Sequence, residues 1–219
     1  MALRREFLLP ETSERIMAAF RALGADVVPQ EERAASLRAT LERVPSGDDV
    51  WVFGYGSLMW NPAFHHIETR PARAGGWHRS FCLWNTFGRG SIENPGLTLA
   101  LERGGSCAGV ALRIAAAQVE SELGILWNRE MITGAYAPRW LNLRTDAGEI
   151  EAVTFIANRA SRRYTGRLPL PETARLLARA QGPLGTSREY LEQTVEELER
   201  LGSRNGSMHA LLRTVRKLG

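Results

Sequence analysis

The chain has no run of about 20 apolar residues anywhere in its 219 positions, so no transmembrane helix is expected. Cysteine is scarce. Cys82 and Cys107 are the only two, with neither CxxC spacing nor a His-rich neighbourhood, so no zinc site and no redox motif is indicated. Both are expected to be buried thiols of a reducing compartment. Histidine is scarce too, at 4 residues. His65 and His66 are adjacent and therefore point in different directions, and no third ligand accompanies them, so a structural or surface role is expected and no metal. No Ser-His-Asp or Cys-His order stands out either. Lysine is almost absent, Lys217 being the single one. The apolar stretch after Arg4 and Arg5 is too short for the core of a signal peptide, and a cytoplasmic location is expected. Internal repeats and low-complexity segments are also missing.

What is present is a 44% hydrophobic composition on a length that suits one domain with extensions, or at most two small domains. The net charge is +4 and the pI about 9.6. Such a balance can mark a nucleic-acid partner. Here the arginines are spread along the chain and interleaved with Asp and Glu, which points to a solvated surface with a bias toward small anionic substrates rather than to nucleic acid.

Three regions follow from the patterning. Residues 11–44 read as two amphipathic helices. Thr12 or Ser13 caps the first, over Ile16, Phe20 and Leu23; Glu31 and Glu32 open the second, over Leu37, Leu41 and Val44. Residues 45–49 are turn-rich, so 1–48 forms a helical extension and 49–219 the main domain. Residues 50–157 are strand-rich: 50–53, 80–84, a hairpin of 97–101 with 109–114 around Gly104 and Gly105, and a second of 140–144 with 150–156 around Asp146, Ala147 and Gly148. One helix, about 116–129, interrupts them. That content fits an α+β fold, a small mixed β-barrel with flanking helices, better than a doubly wound parallel sheet. Helices over about 172–180, 187–201 and 207–218 complete the chain. Ser187 caps the middle one, whose apolar face carries Tyr190, Leu191, Val195 and Leu198.

Two features could carry chemistry. Phe53, Gly54, Tyr55, Gly56, Ser57 and Leu58 end a strand, and the small residues let backbone N–H groups converge on an anion or a carbonyl oxygen. A dinucleotide fingerprint would need glycine where Met59 stands, and a nucleophile elbow would need glycines where Tyr55 and Met59 stand. An anion cradle and a plain strand-end turn stay open. The second feature is Glu130, which extends the helical stripe of Val119, Leu123, Leu126 and Trp127. A carboxylate on an apolar face is costly unless paired or functional. It is either a buried ion pair with Arg129 or Arg139, or a general base whose carboxyl burial has raised toward neutrality. The six tryptophans sit mainly on strand and helix faces and read as core packing, with one or two lining a pocket.

On a set of segments in a fixed order the sequence resembles the ChaC family of glutathione-specific γ-glutamylcyclotransferases. These are Trp51, Val52, Phe53, Gly54, Tyr55, Gly56, Ser57 and Leu58; Arg79, Ser80 and Phe81; Pro95, Gly96 and Leu97; the stretch 109–114; Arg129 and Glu130 with Gly134, Ala135 and Tyr136; and Gly182 and Pro183 with Glu189, Tyr190 and Leu191. The likeness covers about residues 50–200 and omits the N-terminal helices. It implies a γ-glutamylcyclotransferase-like barrel that cleaves glutathione to 5-oxoproline and cysteinylglycine. It implies that Glu130 is the catalytic glutamate, that Val52, Phe53, Gly54, Tyr55, Gly56, Ser57 and Leu58 form the substrate-binding strand and loop, and that Tyr190 lies near the substrate. No metal or organic cofactor is implied, and the only partner is the small-molecule substrate, with no nucleic acid and no membrane. Where animal members read Arg-Glu-Lys-Gly-Gly-Tyr, this chain has a longer loop between Glu130 and Tyr136. Residues 131–135 are the expected place for contacts to the cysteinylglycine half. Two other readings are the same chemistry on another γ-glutamyl amine or dipeptide, and a non-catalytic γ-glutamyl-binding module.

Overall fold

The computed structural model describes residues 3–22, 26–203 and 206–218. Five strands close a barrel in the order β1-β3-β2-β4-β5: β1 (Val50–Gly54), β2 (Glu68–Asn85), β3 (Gly96–Ile114), β4 (Tyr136–Thr145) and β5 (Gly148–Ala157). Neighbours in this order are antiparallel except at the closure, where β1 runs parallel to β5 with Trp51 beside Ala152 and Val52 beside Val153; an additional parallel pairing sets Leu101 of β3 beside Ile156 of β5. The expected mixed barrel is therefore present, and closure removes the exposed edges that an open sheet would carry.

The period of two along each strand splits the interior between two cores. Val50 and Val52 of β1, Val110, Leu112 and Ile114 of β3, and Val153 and Phe155 of β5 pack with Leu123, Leu126 and Trp127 of α3 (Val119–Glu130). Phe53, Ala111, Ala152 and Leu143 point the other way. They join Leu177, Leu191, Leu198, Leu211 and Val215 from α4 (Leu170–Arg179), α5 (Ser187–Arg200) and α6 (Gly206–Arg216). The chain before the barrel supplies α1 (Pro10–Ala22) and α2 (Gln30–Leu41), laid over α3. Both cysteines are free and buried, and burial pushes the Cys82 thiol up to about 12. Among the described residues no helix is long and apolar enough to cross a membrane.

Three local expectations are corrected. Gly104 and Gly105 do not turn a hairpin. Residues 97–101 and 109–114 belong to the one strand β3, whose partner is β2 throughout. The two glycines, at φ +106° and +72°, form a bulge facing the single residue Gly76. Neither Thr12 nor Ser13 caps α1. The helix starts at Pro10, a favoured first position, and the Ser13 amide already donates to the Leu9 carbonyl at 2.8 Å. Leu23, expected on that helix's apolar face, lies outside the described residues. The cap of α5 is Thr186, one residue before Ser187: its hydroxyl accepts from the Glu189 amide while the Glu189 carboxylate accepts from the Thr186 amide. Ser187 is buried and instead donates to the Arg89 carbonyl at 2.8 Å. The second hairpin does form, with Thr145 paired to Gly148 across Asp146 and Ala147.

Candidate active site

A cavity of about 610 Å³ opens where the end of β1, the C-terminus of α3, the start of α5 and the N-terminal segment meet. α3 delivers Glu130 to it because the helix buries Leu123, Leu126 and Trp127 on the barrel, and a residue three beyond Trp127 emerges on that same face at the last turn. The Glu130 side chain is 14% exposed. Arg129 Nε lies 2.9 Å from Glu130 Oε1, so the ion pair expected as one reading is formed. Burial raises the carboxyl above its ordinary value, and Arg129 pulls against that without reversing it.

Arg129 ties this carboxylate to the loop after β1. Its Nη2 donates to Ser57 Oγ at 2.7 Å, and Nη1 donates to the carbonyls of Asn61 and Pro62. Because Ser57 Oγ accepts from Arg129, its own proton is free to be given to something else. The loop passes close under α5. A Cβ on Gly56 would stand 2.7 Å from the Tyr190 hydroxyl, and one on Gly54 would stand 2.9 Å from Leu58 Cβ, so both glycines permit a backbone approach that alanine would obstruct. The Tyr190 ring packs edge-on against Trp60 and Phe81 at 5.5 and 6.0 Å.

Three phenols, of Tyr55, Tyr190 and the partly buried Tyr136, respond to Glu130. Tyr55 donates to the Phe155 carbonyl at 2.6 Å and Tyr136 to the Leu99 carbonyl at 2.8 Å. Burial raises Tyr55, Tyr136 and Tyr190, with the negative charge of Glu130 adding to the rise in each; Tyr190 reaches about 12. All three therefore stay protonated near neutral pH.

The expected site residues separate into two groups. Glu130, Ser57 and Tyr190 line the cavity. Val52, Phe53 and Leu58 are core residues, and Gly54, Tyr55 and Gly56 lie beneath the wall, shaping the turn. Of the longer loop, Ile132, Thr133 and Ala135 reach the cavity. Trp60 and Trp84 line it, in line with the expectation that one or two tryptophans border a pocket; Ile16 and Phe20, expected only as a helix face, line it too, as do Phe7, Arg89 and Arg163, for which there was no expectation from sequence. The adjacency of Arg129 to Glu130 is a usable signal; nothing local marks Phe7, Arg89 or Arg163. His65 and His66 are away from this wall, the His65 amide donating to Glu122 at 2.9 Å and the His66 ring meeting the Phe64 carbonyl at 3.4 Å.

The family model described as ChaC-like protein matches residues 50–218. The chain belongs to the ChaC family. It is 46% identical over 189 residues to the glutathione-specific γ-glutamylcyclotransferase of Escherichia coli, covering 86% of this chain and 82% of that one. To the human glutathione-specific γ-glutamylcyclotransferase 1 it is 30% identical over 165 residues, covering 73% of this chain and 74% of that one. Among solved structures, a yeast γ-glutamyl cyclotransferase specific to glutathione superposes with a TM-score of 0.71 over 77% of this chain and 96% of that one. At 22% identity that likeness speaks for the fold alone. The ChaC match begins at the first residue of β1, so the whole N-terminal wall of the cavity lies before it.

Proposed function

We propose that this ChaC member is a γ-glutamylcyclotransferase that cleaves glutathione to 5-oxoproline and cysteinylglycine, with Glu130 as general base. The observation that carries the reading is a buried carboxylate with a raised pKa on the wall of a substrate-sized cavity, in a chain whose curated relatives are named for this activity.

Glutathione holds its α-amine and its γ-amide carbonyl in one flexible chain. Glu130 takes a proton from the α-ammonium, and the freed nitrogen lone pair attacks the γ-carbonyl carbon. A C–N bond forms to close a five-membered lactam, while the bond from that carbon to the cysteine nitrogen breaks. The proton held by Glu130 goes to the leaving nitrogen; the ring nitrogen then gives up its second proton through the freed carboxylate to the released amine. The products are the neutral lactam N–H and the ammonium of cysteinylglycine, the base is restored and no water is consumed. Folding the substrate makes the attack intramolecular, where effective molarities reach about 10⁵–10⁸ M in well-oriented cases. The Ser57 hydroxyl and the Tyr190 phenol, both on the cavity wall, are the donors that would stabilise the carbonyl oxygen as it gains charge. The two buried free thiols suit a reducing, cytoplasmic setting, where glutathione is also kept reduced.

Incubating the purified chain with glutathione tests this. 5-Oxoproline and cysteinylglycine should appear in equal amounts. Free glutamate as the first product, or no turnover of glutathione while another γ-glutamyl amine is consumed, would overturn the assignment.

A further inference from the structure

Two guanidinium groups face the cavity away from Arg129, and they differ in what holds them. Arg89 stacks over the Tyr190 ring at 5.5 Å and donates to the Thr186 carbonyl at 2.9 Å, and the Glu189 carboxylate stands 3.6 Å away. Arg163 is half-buried, and its guanidinium lies 5.5 Å from the Phe87 ring centroid. Its Nη1 donates only to neutral oxygens, Thr86 Oγ1 at 3.2 Å and the Trp84 carbonyl at 3.4 Å. Among the described residues no carboxylate forms an ion pair with it within 4.0 Å. The Asp26 carboxylate, which also lines the cavity, attracts it without hydrogen-bond contact. Holding a cation half out of water with no carboxylate in direct contact is costly, and the cavity is where an anion can reach it.

Phe87 gives this corner its shape. It stacks against Phe20 of α1 at 5.5 Å, so the N-terminal helix and the loop after β2 close the wall beside Arg163. The substrate proposed above has two carboxylates. One belongs to the glutamyl half common to all γ-glutamyl compounds, whereas the other ends the glycine and leaves with the product.

Resting on that reading of the activity, we propose that Arg163 binds the terminal glycyl carboxylate and is the residue that selects a γ-glutamyl tripeptide over γ-glutamyl amines. A guanidinium takes a carboxylate through paired, charge-assisted hydrogen bonds, and stacking on Phe87 holds its plane while Thr86 and Trp84 orient it. The contact is the same in the ground and transition states, so it acts on KM and not on kcat.

The test compares glutathione with its glycine monoethyl ester, in which only the terminal carboxylate is masked, on the full-length chain, Arg163→Met and Arg163→Lys. In the unsubstituted chain the ester's KM should be about tenfold or more above that of glutathione, with kcat nearly unchanged. Arg163→Met, which keeps an apolar stem against Phe87, should raise the KM for glutathione by about the same factor and leave the ester's alone, and Arg163→Lys should recover part of the loss. Equal KM values for the two compounds in the unsubstituted chain, or an Arg163→Met variant of normal melting temperature that loses both equally, would overturn the assignment. If neither compound gives 5-oxoproline, the activity reading has failed, and calorimetry then decides this one separately: about tenfold weaker binding of the ester supports it, and equal binding or none overturns it.

Discussion

Glu130 feels burial and Arg129 in opposite directions, and burial wins. A carboxyl raised in the folded state binds its proton more tightly folded than unfolded. Its desolvation therefore costs stability at neutral pH, and that cost vanishes as pH falls through the folded pKa. Activity runs the other way, because a base must be ionised. The acid limb of kcat/KM should consequently lie above the ordinary carboxylate value of about 4.3, with activity falling as pH drops through it. Glu130→Gln should lose at least about 10²-fold in turnover while melting no lower than the unsubstituted chain at pH 7. An acid limb at or below the ordinary value, or near-normal turnover by the folded variant, would remove Glu130 from the mechanism. Sequence exposed this residue because a charge on an apolar helical stripe is an anomaly visible at spacings of three and four. Arg89 and Arg163 had no such mark: they are two among 28 basic residues, and only the fold separates a guanidinium facing a cavity from one in solvent.

Among the elements, the strands and helices were legible by period, and their partners were less so. Gly104 and Gly105 suit a hairpin and a bulge alike, because adjacent glycines with positive φ serve both; which one forms depends on β2, a partner about 30 residues away in sequence. At the start of α5, Thr186 and Ser187 both offer a hydroxyl, and Thr186 is the cap because only it has a glutamate three residues on. The α1 stripe was readable, but its meaning was not: Met17 is buried, whereas Ile16 and Phe20 face the cavity. The segment just before α1 is held by polar contacts as well as by the buried Leu8. Arg5 donates to both oxygens of Glu122 on α3, at 2.5 and 2.8 Å, and Asn61 and Asn128 donate to the Leu3 and Leu8 carbonyls at 3.0 Å. Burial alone would raise the Glu122 carboxyl, but Arg5 and the His65 amide together hold it below its usual value. This ion pair therefore contributes stability above the ordinary carboxylate range, and that contribution is lost as pH falls through the lowered pKa. Arg5→Ala leaves a carboxylate only 3% exposed without its cation. It should cost about 2 kcal/mol in urea unfolding at pH 7 and less near pH 3. It should also raise KM for glutathione, since the wall that includes Phe7 hangs on this pair. An unchanged urea midpoint at pH 7 would show that the segment is held by its other contacts.

At the scale of the molecule, the cavity belongs to no single region. The barrel gives Ser57, α3 gives Glu130, α5 gives Tyr190, the segment after β5 gives Arg163, and the chain before β1 closes the apolar side. An enclosure assembled this way can hold a flexible tripeptide bent, which is what cyclisation requires and ordinary hydrolysis does not. The α-amine must reach the γ-carbonyl carbon, and its lone pair must be free. A glutathione acetylated on the α-amine keeps both carboxylates and the scissile amide, so it can still occupy the cavity. Its nitrogen lone pair is delocalised into the acetyl group and it has no ammonium proton for Glu130 to take. The acetylated compound should therefore compete with glutathione for the site and yield neither 5-oxoproline nor glutamate. A water-using amidase on the same scaffold would cleave it, because water, not the amine, would be the nucleophile. Mass spectrometry of the glutamyl product distinguishes the two: release of N-acetylglutamate from the acetylated tripeptide would replace cyclisation by hydrolysis while leaving the barrel and its ChaC membership untouched.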